Sequence, residues 1–163
     1  MFDHVIPPLR RSLGALSKIL TRAEEHCTAR SIDPAALLQF RLFSDMLNMT
    51  KQVQLTCDFA ARLAPRLTGA DLPSFPDSET TFAELQARIA AVLAYLDGFD
   101  ADAFKGSEER EITIKLRSGE MKMNGLQFAT QYAMPQFYFH MTTTYNILRH
   151  NGVELGKRDY MGA

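Results

Sequence analysis

The stretch PQFYFHMTTTYNILRHNG, Pro135 to Gly152, decides the fold. Pro135 suits the first turn of a helix, where a missing N–H costs nothing. Gly152 suits the exit, with Arg149 and His150 near the negative end of the helix dipole. Tyr138, Met141, Tyr145 and Leu148 recur at helical spacing, and Phe137, His140, Thr144 and Ile147 form a second stripe beside them. At about 100° per residue the two stripes make one broad inward face. Thr142, Thr143, Asn146, Arg149 and His150 take the other side, with Phe139 as an apolar exception.

Working outward, three more long helices are expected. Leu9, Leu13, Leu16, Leu20, Ala23 and Cys27 form a seam that follows Pro7 and Pro8. A second helix, capped by Ser44 or Asp45, carries Met46, Met49, Val53, Cys57, Ala60 and Ala64 inward. Asp45, Gln52 and Thr56 flank that seam, where polar groups must find partners or line a cavity. Thr81 and Glu84 have the spacing of a capping box and open a third helix, with Phe82, Leu85, Ile89, Val92 and Leu96 inward. Residues 34–43 read as a short helical turn and a packed connection. Residues 70–77 read as a surface loop, and 99–109 as an acidic one.

The segments 110–116 and 120–124 alternate, with Ile112, Ile114 and Leu116 on one side, and Arg117, Ser118 and Gly119 between them suit a turn. A small β-hairpin is therefore expected before the last helix, lying against the helices because an isolated hairpin is marginal. Residues 125–134 lead helically into Pro135. A separate lead-in and a single proline-kinked helix both fit the pattern. The tail from Val153 shows no periodicity. The expected architecture is all-α: a four-helix bundle, one domain over 1–163, with a hairpin inserted before the fourth helix.

Composition bounds the function. The 163 residues are 46% hydrophobic and 23% charged, with a net charge of −1, as in an ordinary globular domain. Basic residues do not cluster, which argues against nucleic acid. The longest apolar run, Ile89 to Leu96, is too short to span a bilayer. The N-terminus lacks the apolar core of a signal peptide, so a cytoplasmic location is expected. Cys27 and Cys57 fit no disulfide framework and read as small buried hydrophobes.

His140 is the sharpest chemical candidate. A histidine on an inward face is commonly a hydrogen-bonded core residue. A helix-borne metal site would add a second histidine one turn on, and that position holds Thr144, a poor ligand beside imidazole. Metal on His140 would need Asp45 and water to complete its shell. Without metal, His140 is a candidate general base oriented by Asp45 or Gln52. With the hydroxyls of Tyr138 and Tyr145, these residues outline a half-polar pocket for a small molecule between the second and fourth helices. His26, beside Glu24 and Glu25, reads as solvated, His4 as terminal, and His150 as outward. No G-x-S-x-G context supports a hydrolase triad. Phe139 on the outer face points to self-association as a homodimer.

The runs FYFHMTTTYNILRHNGVELGKRDY (Phe137 to Tyr160) and QVQLTCDFA (Gln52 to Ala60), with the capped helix from Thr81, resemble a bacterial family of uncharacterised proteins within the DinB/YfiT-like superfamily of metalloenzymes. That resemblance implies a four-helix bundle. It also implies thiol-dependent transferase or hydrolase chemistry on zinc or nickel, held by a histidine of the second helix and an H-x-x-x-H pair on the fourth. Only the first histidine of that pair is matched, by His140. The expectation is therefore a small-molecule site with a degenerate metal centre and no tightly bound metal. The alternatives are a metal-dependent transferase with an altered ligand set and a non-catalytic dimeric interaction protein.

Overall fold

The computed structural model describes residues 1–116 and 118–162, so Arg117, expected in the hairpin turn, lies outside the described residues. The long helices are α1 (Phe2–Arg30), α3 (Met49–Thr68), α4 (Phe82–Leu96) and α6 (Met134–His150). Shorter ones are α2 (Pro34–Leu38), α5 (Gly125–Gln127) and α7 (Lys157–Met161). Strands β1 (Glu111–Leu116) and β2 (Gly119–Asn124) pair antiparallel, with Ile112 opposite Met123 and Ile114 opposite Met121. The chain is thus mostly helical with one two-stranded hairpin. Helix α1 packs on α4, α4 on α3, and α3 on α6, which touches α1 again. Among the described residues no helix is long and apolar enough to cross a membrane.

The seams read from the sequence are buried, except that Met46, expected inward on the second helix, lies half-buried in a bend before α3. Leu9, Leu13, Leu16, Leu20, Ala23 and Cys27 of α1 are at most 1% exposed, as are Val53, Cys57, Ala60 and Ala64 of α3. The capping box forms as written: Thr81 Oγ1 accepts from Glu84 N at 3.2 Å, and Glu84 Oε2 accepts from Thr81 N at 3.0 Å.

Several boundaries move. Helix α1 starts at Phe2 and carries Pro7 and Pro8 within it. The prolines forfeit ladder donors only in its opening turns, where Val5 and Ile6 are already buried. Helix α3 begins at Met49, not at Ser44 or Asp45. Asn48, with extended backbone, caps it by accepting from Lys51 N at 3.0 Å. Residues 42–46 are bends and turns, fastened where Arg41 donates to the Met46 carbonyl. Leu116 is 43% exposed at the hairpin's end instead of packed with Ile112 and Ile114. The tail turns into α7, which packs on α1 and is capped where Asp159 Oδ2 accepts from Gly156 N at 2.7 Å.

The lead-in to the last helix is continuous with it, through a π-helical segment at Phe128–Ala133. Its position has a local cause. Pro135 offers no N–H, and its ring would crowd the carbonyl four residues back; the wider π turn relieves that crowding. The segment swings Phe128, Tyr132 and Ala133 toward α3 and β1.

Candidate functional site

Helices α3 and α6 run against each other so that Gln52 meets His140, while Phe59, two turns farther along α3, meets Tyr132. His140 is 8% exposed and Gln52 is 2% exposed. Their side chains meet at 2.8 Å, Nδ1 to Oε1. The amide's orientation follows from its other end, because Gln52 Nε2 donates to the Leu47 carbonyl at 3.2 Å. Oε1 therefore faces the ring as an acceptor, and His140 Nδ1 carries the proton. Burial pushes the imidazole below its ordinary value, which favours the neutral ring. The lone pair then sits on Nε2, which makes no hydrogen bond to the described residues.

The ring's faces are also set. Phe59 stacks on it with centroids 5.7 Å apart and planes 13° apart. Thr144, fully buried, donates Oγ1 to the His140 carbonyl at 3.1 Å, and Thr56 does the same to Gln52 at 2.8 Å. Both hydroxyls are thus spent on their own helices.

The structure brings His140, Gln52 and Thr144 together. Asp45 is exposed in the turn before α3, off the helix that was to carry it beside His140. Tyr138 is half-buried and packs edge-on against Phe137 at 5.1 Å. Tyr145 packs edge-on against Tyr160 at 5.8 Å, toward α7. His26 is a correction: it is 8% exposed, with its Nδ1 at 3.2 Å from Arg30 Nη1.

The donor set at His140 does not fit a divalent metal of the zinc or nickel kind. It consists of one imidazole, one amide oxygen already holding that imidazole, and two hydroxyls committed to backbone carbonyls. Such ions ask for several nitrogen, thiolate or carboxylate ligands converging on one point. Among the described residues no group of three or more His, Cys, Asp or Glu side chains converges anywhere.

What sequence reading missed lies beside Phe59. A cavity of about 210 Å³ opens there between α3, β1 and the π segment. Phe59, Phe128 and Tyr132 form its aromatic wall, and Arg62, Arg66 and Lys115 its basic one. The signal was present: Leu55, Phe59, Arg62 and Arg66 recur at helical spacing on α3, beside the polar flank already noted. The rest of the wall comes from β1 and from a π turn that periodicity does not reveal.

The model of the family described as Domain of unknown function (DUF1993) matches residues 1–161. A solved structure described as a DinB family member protein from Shewanella denitrificans is similar at 42% sequence identity and a TM-score of 0.94. That match covers 99% of this chain and 92% of that one. No curated protein matches the chain.

Proposed function

We propose that this chain, which belongs to the DUF1993 family, is a single-domain four-helix bundle of DinB-like type that binds a small molecule against Phe59 and does not clamp a metal. The observation that carries the reading is the His140–Gln52 hydrogen bond at 2.8 Å. It ties up the one histidine at the α3–α6 seam with an amide instead of a ligand shell. In its place the seam offers a stacked His140–Phe59 pair whose Phe59 ring lines an aromatic cavity. His140, Gln52 and Thr144 act as backing that fixes the Phe59 wall, and a cytoplasmic protein is the expected setting.

Two measurements on the full chain test this. Protein purified without chelator, and apo protein incubated with zinc or nickel, is expected to hold no stoichiometric metal by elemental analysis. Stoichiometric metal that His140→Gln abolishes would overturn the reading in favour of a metal-dependent, thiol-using transferase with an altered ligand set. Benzamide, an uncharged aromatic probe, is expected to shift the NMR resonances of Phe59 and Tyr132. An unchanged spectrum at saturating benzamide would remove the binding claim. A second reading, self-association, is supported by Phe139, which stands 56% exposed on α6. A monomer by light scattering at micromolar protein would discard it.

A further inference from the structure

The cavity beyond Phe59 has an unbalanced charge. Asp58 is its one carboxylate, and both its oxygens are engaged: Oδ1 with Arg88 at 2.5 Å and Oδ2 with Arg62 at 3.1 Å. Arg66 and Lys115 have no ion-pair partner among the described residues. Arg66 is half-buried, so its guanidinium meets less water than a surface arginine does. Burial and the neighbouring Arg62 both lower its proton affinity, yet a guanidinium stays charged in proteins. A half-buried cation beside another cation is stabilised by an anion, and arginine holds a carboxylate through two parallel hydrogen bonds.

The remaining walls limit what carries that anion. Phe128 and Tyr132 stack with centroids 6.0 Å apart, and Phe59 meets Tyr132 edge-on at 6.2 Å. Ile114, only 6% exposed, closes the strand side. The volume of about 210 Å³ exceeds that of the apolar cavity of ~150 Å³ that takes up benzene, so a single ring and a carboxylate fit. Bare phosphate would leave the aromatic wall uncovered.

We infer that this cavity is a binding site for a small monocarboxylate with a flat apolar body, its carboxylate on Arg66 and Lys115 and its body against Phe59, Phe128 and Tyr132. The inference rests on the small-molecule reading above and names the class of ligand.

Benzoate and benzamide differ in charge and hardly in shape, which makes them the probes. Titrations of the full chain, followed by NMR at Phe59 and Tyr132, are run on the unmodified protein, Arg66→Met and Arg66→Lys. Benzoate is expected to bind about tenfold tighter than benzamide, the scale of a charge-assisted hydrogen bond. Arg66→Met should bring benzoate down to the benzamide level and leave benzamide unchanged, with Arg66→Lys between. Because Arg66 is half-buried and has no ion-pair partner among the described residues, an unchanged thermal melt should show that both variants fold. Added inorganic phosphate should not displace benzoate. Equal affinity for the two probes, or benzoate binding indifferent to Arg66→Met, would overturn the carboxylate assignment and leave the small-molecule reading standing. No shift with either probe would overturn both.

Discussion

Buried against Phe59 and bonded through Nδ1 to Gln52, His140 is held neutral by its surroundings, and the consequence is a dependence of stability on pH. Its folded-state value lies below the ordinary imidazole value of about 6.5. In the unfolded chain the ring takes a proton as pH falls through that ordinary value; in the native chain it resists until a lower pH. Between the two values the unfolded state binds more protons, so stability falls as pH falls, and above the ordinary value this group contributes no slope. Urea unfolding at steps from pH 7.5 to pH 5 should show that decline, and His140→Gln should flatten it. An unchanged slope in the variant would mean that His140 titrates alike in both states. His140 was legible in the sequence as an inward histidine. Its Gln52 partner was one of two candidates, and only the packing of α3 on α6 chose between it and Asp45.

Among the elements, the junction of hairpin and last helix is the least tolerant. Gly125 opens α5 where Asn124 caps it, and a Cβ there would fall on the Ser107 carbonyl oxygen. Backbone cannot yield as a flexible side chain would. Gly125→Ala is therefore expected to destabilise by about 3 kcal/mol or more, at the upper end of overpacking effects. Chemical denaturation measures it, and a loss under 1 kcal/mol would mean that the 104–108 turn moves freely. The π segment that follows matters for a different reason. It aims Phe128 and Tyr132 into the cavity, and a plain α-helical path would rotate them away. Pro135 was read as a helix-start residue; it stands in the first turn of α6, but the helical path runs unbroken into it through the π segment, whose extra width depends on an avoided clash and leaves no period in the sequence.

Across the whole molecule, α3, α4 and the connection between them are held by a charge network around Arg88. Its side chain is 1% exposed and meets Asp58, Asp77 and Glu79 at 2.5, 3.1 and 2.9 Å, and it also donates to the Pro76 carbonyl at 3.1 Å. Lys51 joins from α3 through Asp77. Removing the arginine takes from Asp58 and Glu79, whose side chains are only 11% exposed, the buried cation between them, and breaking such a pair costs about 3–5 kcal/mol in comparable sites. Arg88→Met should lower the urea midpoint accordingly and expose residues 70–78 to proteolysis. Retained stability would show that the carboxylates find other partners. The same network engages Asp58 and so leaves Arg66 and Lys115 without an ion-pair partner among the described residues, which links the stability of the fold to the charge of the cavity.

Helix seams, the capping box and the hairpin alternation were fixed by sequence alone, because each is a local pattern that repeats at the period of its element. The absence of a second histidine one turn after His140 was equally plain, since Thr144 stands there. The start of α3 went astray because Asp45 and Asn48 are both competent caps, and the choice lies in how residues 42–46 fold back. Tertiary structure alone decided that Gln52 is the partner of His140, that Phe59 both stacks on His140 and lines a cavity, and that Arg66 and Lys115 share that cavity. Those residues lie on α3, α6 and β1, far apart in the chain. Their meeting depends on how the faces pack, and no spacing within one element encodes it.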